Sequence, residues 1–136
     1  MIRCVRLWTG ADDASHFEEG FLAMDPGRKD DLCTAGIDVT HLSFEETTSG
    51  GSFDWHTAPV RQLVLTLGGT LDFRTRGGDQ FRLREGDVLL AEDTSGSGHE
   101  WTLVGSDPWR RAYVVLAEGA PVPFRTSAPS GTPVQE

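Results

Sequence analysis

Short runs of β-forming residues recur from Ile37 to Glu118, and glycine-rich turns separate them. The run RQLVLTL, for example, is followed by Gly68 and Gly69, and Gly86 lies in a later tight turn. No helical period of useful length interrupts this part of the chain. The 16 glycines and 7 prolines of the whole chain also favour many turns over a few long helices. This pattern predicts an all-β sandwich or barrel.

Residues 1–33 form a separate region because, after their first few residues, they are polar and acidic. Those first residues alternate as a strand at the edge of a sheet would. A helix over 12–24 is one interpretation of the next segment, since an aspartate could cap it. Gly20 within that segment and Pro26 after it make a strand or an irregular arm at least as good an interpretation.

The C-terminal segment 119–136 contains more than half of the 7 prolines, together with serine, threonine and glycine. Its first part is expected to run along the barrel, and a mobile end is expected from Thr126 onward. We therefore predict three parts: an N-terminal strand and arm over 1–33, a barrel over 34–118 and a Pro-rich tail over 119–136.

The net charge of -9 argues against several classes of partner. An acidic surface repels phosphate backbones and anionic lipids, so we expect neither a nucleic acid nor a membrane as partner. No segment approaches the ~20 apolar residues that span a bilayer, and Arg3 and Arg6 interrupt the N-terminus. Cys4 and Cys33 lack CxxC spacing, which favours two reduced, partly buried thiols over a single disulfide. We expect a soluble cytoplasmic protein.

Several polar residues have the spacing of side chains that share one face of a strand. Asp54 and His56 are two residues apart, and the same is true of His99 and Trp101. Gln62 begins the strong β-forming run that comes after the first pair. If these strands wrap into a barrel, Asp54, His56, Gln62 and His99 converge at one mouth. Trp101 either lines that pocket or packs in the core.

These positions resemble the two sequence motifs of small stand-alone bacterial cupins. Asp54-Trp55-His56 takes the place of the first HxH motif, Gln62 that of the following Glu or Gln, and Gly69 that of the motif's glycine. Gly86-Asp87 resembles the turn that opens the second motif, and His99 the histidine that closes it. The resemblance implies a cupin double-stranded β-helix, a jelly-roll barrel, here with an N-terminal arm.

The resemblance also implies a divalent metal, such as Zn, Fe, Mn or Ni, at His56, Gln62, His99 and Asp54. The chain departs from the family pattern because Asp54 replaces the first histidine, Gln62 is one residue further from His56 than usual, and a Gly-Ser insertion before His99 lengthens the second motif. The amide oxygen of Gln62 is also a weak ligand. Without a metal, Asp54 and His56 would form an acid/base pair in which the carboxylate raises the pKa of the histidine. No fingerprint of a nucleotide cofactor is present in the sequence.

Other residues have weaker claims to a functional role. His41 lies on a β-forming run and faces either the cavity or solvent. Trp55 is expected to pack between sheets or at a subunit contact, and His16 to lie at a subunit contact. Glu92 and Asp93 are either a carboxylate pair near the barrel mouth or ordinary solvated charges.

Together these features predict a small-molecule cupin enzyme of isomerase, cyclase, lyase or oxygenase type, with Asp54 and His56 as catalytic residues. Gln62, Trp101 and His41 are the expected pocket residues. A non-catalytic module that binds or senses a small ligand is the alternative, and a scaffold with a decayed pocket is the third. We also expect a homodimer formed through edge strands, with the segment 1–24 as a suitable arm.

Overall fold

The computed structural model of the chain describes residues 1–48 and 50–126, and every regular element within them is a β-strand. The strands are β1 (Arg3–Thr9), β2 (Ser15–Leu22), β3 (Asp25–Pro26), β4 (Leu32–Cys33), β5 (Val39–Thr47), β6 (Ser52–His56), β7 (Gln62–Gly68), β8 (Thr70–Thr75), β9 (Gln80–Leu83), β10 (Val88–Glu92), β11 (His99–Val104), β12 (Trp109–Leu116) and β13 (Phe124–Thr126). The all-β prediction is therefore confirmed.

The strands from β5 to β12 are divided between two facing sheets, and consecutive strands change sheet except at the β8–β9 hairpin. One sheet contains β10, β7, β12 and β5 in that order, and the other contains β6, β11, β8 and β9. This is the strand order of a jelly roll, the double-stranded β-helix that the resemblance implied. The predicted fold class is therefore confirmed by the topology of the chain itself.

The N-terminal strands extend the larger of the two sheets. Strand β1 runs parallel to β10 on one side and antiparallel to β2 on the other, so it is an internal strand and not an edge. Strand β2 occupies most of 12–24, where a helix was the alternative. Gly20 allows β13 to pass close by, because a Cβ there would lie 1.9 Å from the carbonyl oxygen of Arg125. Apart from Thr126 itself, the expected mobile end lies outside the described residues.

The core has two parts because side chains alternate between the faces of the larger sheet. The main cluster fills the space between the sheets, where Leu71, Phe73 and Trp109 are at most 2% exposed. Burial of each such side chain contributes about 1.5–3 kcal/mol to folding. A smaller cluster covers the outer face of the larger sheet, with Val122 and Phe124 of the C-terminal segment packed against it. These two layers hold the barrel strands in a fixed register.

The two cysteines are separate free thiols. Cys4 is fully buried, and burial raises the pKa of its thiol to about 12. Cys33 is exposed, which differs from the expectation that both thiols are partly buried. Within the two described ranges, no helix is long and apolar enough to cross a membrane.

Candidate functional site

A cavity of about 480 Å³ lies between the two sheets, within the usual size range of small-molecule sites. Strands from both sheets contribute to its wall. The exposed residues of the lining are Ser43, Glu45, Phe53 and Pro59. Because these residues lie on β5, on β6 or just after β6, the mouth opens between these two edge strands.

Aromatic rings cover much of the cavity wall. Six of them form a closed circuit of neighbours whose ring centroids lie between 4.0 Å and 6.3 Å apart. In order, they belong to Trp109, Phe73, His99, His56, Phe53 and Trp101. Such separations are those of ordinary aromatic packing, so the wall suits a planar or apolar ligand.

A β-bulge in β6 decides which of its side chains face the cavity. His56 is opposite His99 on β11, but Phe53 is opposite Trp101, so β6 carries one more residue than its partner between these points. Phe53 and His56 therefore both line the cavity, whereas Asp54 is exposed and is not part of the lining. The prediction that Asp54 shares the cavity with His56 assumed strict alternation, and the bulge breaks that alternation.

Gly98 brings the two histidines together at this point. It has a φ of 73°, which favours glycine, and a Cβ there would lie 2.3 Å from the carbonyl oxygen of His56. The close backbone approach leaves the ring centroids of His56 and His99 4.5 Å apart. The sequence places these two residues far apart, and their contact is a product of the β6–β11 pairing.

A buried carboxylate orients His99. The Nδ1–H of His99 donates to Oδ2 of Asp93 at 2.6 Å, and the hydroxyl of Ser15 donates to the same oxygen at 2.7 Å. Asp93 is completely buried and His99 is 4% exposed. The Nε2 of His99 has no hydrogen-bond partner among the described residues and remains open to the cavity. The arrangement fixes one tautomer, with its free lone pair toward a ligand.

Asp93 was missed as a site residue because its acidic neighbour suggested solvated charge. Glu92 and Asp93 both accept hydrogen bonds from other side chains. Glu92 accepts hydrogen bonds of 2.6 Å from Arg6 and from Arg61. Burial raises the pKa of Glu92, but the two guanidinium groups outweigh that effect and hold it below its usual value. The buried Ser15 is the partner that sequence spacing could not identify.

Burial lowers the pKa of His56 and outweighs the main-chain contact with Asp54, which raises it; the nearby His99 lowers it further, so the ring is neutral at neutral pH. Its Nδ1–H donates to the backbone carbonyl of Asp54 at 2.6 Å, which leaves Nε2 as an acceptor. The expectation that the Asp54 carboxylate raises the pKa of His56 is wrong. The contact is made by the Asp54 main chain, and burial has the larger effect.

Arg111 is a second site residue that the sequence interpretation missed. It is 3% exposed and lines the cavity, with its guanidinium carbon 3.8 Å from the ring centroid of Trp109. Its Nη2 donates to Oε2 of Glu45 at 2.6 Å. Alternation along the strand could have identified it. Arg111 lies two residues from both Trp109 and Tyr113, and all three line the cavity.

The remaining predicted pocket residues divide into two groups. Gln62 and Trp101 are buried and lie in the cavity wall. His41 is exposed and is not among the described residues that line the cavity; it lies on β5, the last strand of its sheet. Trp55 lies beneath the guanidinium of Arg76, whose carbon is 4.0 Å from the ring centroid. His16 is bonded to Asp12 on the surface.

The predicted metal ligands are only partly assembled. His56, Gln62 and His99 reach the cavity wall, but Asp54 does not. In the described parts of the chain, no three His, Cys, Asp or Glu side chains are grouped so that they could hold a metal ion. The third potential ligand is an amide oxygen, which binds metals weakly. This donor set does not fit a tightly held divalent metal.

No family model and no curated protein matches this sequence. Among solved structures, a DUF861 family protein from Thermotoga maritima has 20% identity and a TM-score of 0.46, over 54% of this chain and 77% of its own. A protein with a double-stranded β-helix domain from Klebsiella pneumoniae has 18% identity and a TM-score of 0.46, over 63% and 70% of the two chains. A protein from Neisseria meningitidis has 13% identity and a TM-score of 0.41, over 61% and 84%. The jelly-roll assignment rests on strand order.

Proposed function

We propose that this chain is a small-molecule cupin enzyme in which His99 transfers a proton of a ligand held in the barrel cavity. The observation that carries the proposal is the hydrogen bond between Asp93 and His99, which leaves Nε2 of His99 open to the cavity. A histidine oriented by a buried carboxylate, with a free nitrogen toward a cavity, is the arrangement of a general base.

The chemistry depends on the protonation of the two imidazoles. Nε2 of His99 takes a proton from a ligand C–H or O–H group, and Asp93 stabilises the imidazolium that forms. The ligand retains the electron pair, and His99 returns the proton to another atom of the ligand or to a leaving group. Neutral His56 and Gln62 lie in the same wall and hold the ligand's polar groups. An isomerase or a lyase requires these steps.

Hydrogen–deuterium exchange tests the proposal without knowledge of the natural substrate. Small enolisable carbonyl compounds are incubated with the protein in D₂O, and loss of the α-proton signal is monitored by proton NMR. We expect faster loss for at least one compound, abolition of the effect in His99→Gln, and no change in His41→Gln, which alters a histidine outside the cavity. Binding without exchange would instead support the alternative of a non-catalytic binding or sensor module.

Elemental analysis belongs with this experiment because the family resemblance implies a divalent metal. From the donor set, we expect less than stoichiometric metal in protein purified without added metal. A full complement of metal lost in His56→Gln would contradict the interpretation of the site.

We further propose that a second copy of this chain binds at the open edge of β5. This strand pairs with β12 alone among the described residues, so one row of its backbone groups is unpaired. The exposed apolar residues Leu42 and Phe44 lie on its outer face. If two β5 strands pair antiparallel around Ser43, Leu42 of one copy lies opposite Phe44 of the other. The strand is thus complementary to itself in apolar surface.

A further inference from the structure

We propose that the cavity binds small aromatic carboxylates. The carboxylate of the ligand would pair with Arg111 at the position that Glu45 occupies in this structure. The inference rests on the proposed function, because it names the substrate class of the same site. It comes from the pair of charges at the cavity mouth, which the acid–base chemistry of His99 does not use.

Arg111 is fixed in position by its surroundings. Its Nε donates to the hydroxyl of Tyr113 at 3.0 Å, and its Nη1 donates to the hydroxyl of Thr47 at 2.7 Å and to the carbonyl of Trp109 at 3.3 Å. All three acceptors are neutral oxygens. A buried guanidinium needs an anion nearby, because removal of a charge from water is costly when it is uncompensated.

Glu45 supplies that anion from an exposed position. It reaches Nη2 of Arg111 through one carboxylate oxygen, and its side chain is 61% exposed against 3% for Arg111. It lies on β5, the last strand of its sheet. Glu45 can therefore leave Arg111 for solvent when a ligand carboxylate replaces it, whereas Arg111 cannot follow it. A ligand carboxylate that enters the mouth would take its place on Nη2.

The rest of the cavity lining indicates which ligand would fit beside the carboxylate. Beside Arg111, the ring of Trp109 begins the aromatic circuit that leads to His99. Among the described residues that line the cavity, Glu45 is the only one with a carboxylate and Arg111 is the only Lys or Arg. One fixed cation matches a monoanion better than a phosphate dianion, which needs several donors. An aromatic ring with one carboxylate fits both features.

Binding of benzoate, measured by calorimetry or by the fluorescence of Trp101 and Trp109, tests the inference. Benzamide has the same shape without the charge and serves as the comparison ligand. We expect benzoate to bind more tightly than benzamide. Glu45→Gln should increase the affinity for benzoate by about threefold or more, because the competing carboxylate is gone. It should leave the affinity for benzamide unchanged. Arg111→Met should weaken benzoate by about tenfold or more.

Glu46→Gln is the matched control. Glu46 is the next residue on the same strand and pairs with Arg110 at 2.6 Å, but neither residue lines the cavity. This variant should bind benzoate as the wild type does. The inference is overturned if Glu45→Gln binds benzoate no more tightly than Glu46→Gln does. It is also overturned if Glu45→Gln increases the affinity for benzamide as much as that for benzoate. Because Glu45 is exposed, its variant tests the idea even if Arg111→Met does not fold.

The same measurements separate this inference from the proposed function. His99→Gln should still bind benzoate, because the carboxylate contact is made by Arg111. One outcome is that benzoate binds with the expected effect of Glu45→Gln but no compound exchanges its proton. This result would contradict the proposed enzyme activity and support the carboxylate site. If uncharged compounds exchange their protons but benzoate does not bind, the result would contradict the carboxylate site and support the proposed enzyme activity.

Discussion

The Nδ1 atom of His99 lies 2.6 Å from Oδ2 of Asp93, and both side chains are buried, with His99 in the wall of the barrel cavity and Asp93 behind it. This contact leaves one nitrogen of His99 toward the cavity and joins the inner wall to Ser15 on β2. The N-terminal strands are thus connected to the candidate catalytic group. Ser15 and Asp93 are 78 residues apart in the sequence, so only the tertiary fold brings them together.

Asp93→Asn should reduce proton exchange strongly while the cavity remains intact. An amide can present a donor to Nδ1 and favour the wrong tautomer of His99, so the base loses its orientation. Loss of the two hydrogen bonds should also lower the free energy of unfolding by about 1–3 kcal/mol. Exchange rates by NMR and urea denaturation measure the two effects. Ser15→Ala is the control, with a cost of about 1 kcal/mol and retained exchange. Wild-type exchange in Asp93→Asn would contradict the role of the pair.

Gly98→Ala should destabilise the protein more than Gly105→Ala. Both glycines have positive φ, 73° and 79°, so both variants bear the strain of a left-handed conformation, about 1–2 kcal/mol. Only at Gly98 would the new Cβ meet backbone, 2.3 Å from the carbonyl oxygen of His56, whereas nothing lies within 4 Å at Gly105. Denaturation of the two variants gives the difference directly. Equal losses would show that the β6–β11 approach is not tight.

The free energy of unfolding should fall as the pH drops below the ordinary histidine value of 6.5, in part because of His56. Its pKa in the folded protein is lowered, so the unfolded chain takes up the proton first and gains stability as the pH falls. His99 and Asp93 are the ionisable groups that act on it. Urea denaturation between pH 7 and 5 should show a weaker pH dependence in His56→Gln. The same slope in both proteins would contradict a lowered pKa.

Only Cys33 should react with a thiol reagent in the folded protein. Burial raises the pKa of Cys4 to about 12, so its reactive thiolate is almost absent at neutral pH. Cys33 is exposed. A colorimetric thiol assay should therefore detect Cys33 alone in native protein and both thiols in denaturant. Cys33→Ser should not react until it is unfolded, and rapid native labelling of that variant would count against the buried position of Cys4.

Phe44→Glu should convert a dimer into a monomer. The wild-type mass by light scattering should be about twice 14.8 kDa if the β5 edges pair, and a charge in the apolar contact should separate them. Leu32→Glu is the control, because Leu32 is a similarly exposed apolar residue on the separate β3–β4 pair. A monomeric wild-type protein would remove the proposed β5 interface and leave the cavity proposals unaffected.

Local sequence patterns determined the fold class and part of the candidate site. Regular alternation and glycine turns from Ile37 to Glu118 predicted the β-strands, because period-two patterning and turn chemistry act over a few residues. The motif positions also identified His56, Gln62 and His99, which all lie in the cavity wall. These residues are found by spacing because each lies within or beside a regular strand.

Only the tertiary structure decided which charges belong to the site. An extra residue in β6 turned Asp54 outward, and a bulge of this kind depends on pairing with a strand that is distant in sequence. Asp93 entered the site because Ser15 and His99 bury and bind it. Arg111 became a site residue through its burial against Trp109 and its contact with Glu45. Burial and charge pairing are set by non-local contacts, and alternation along one strand does not specify them.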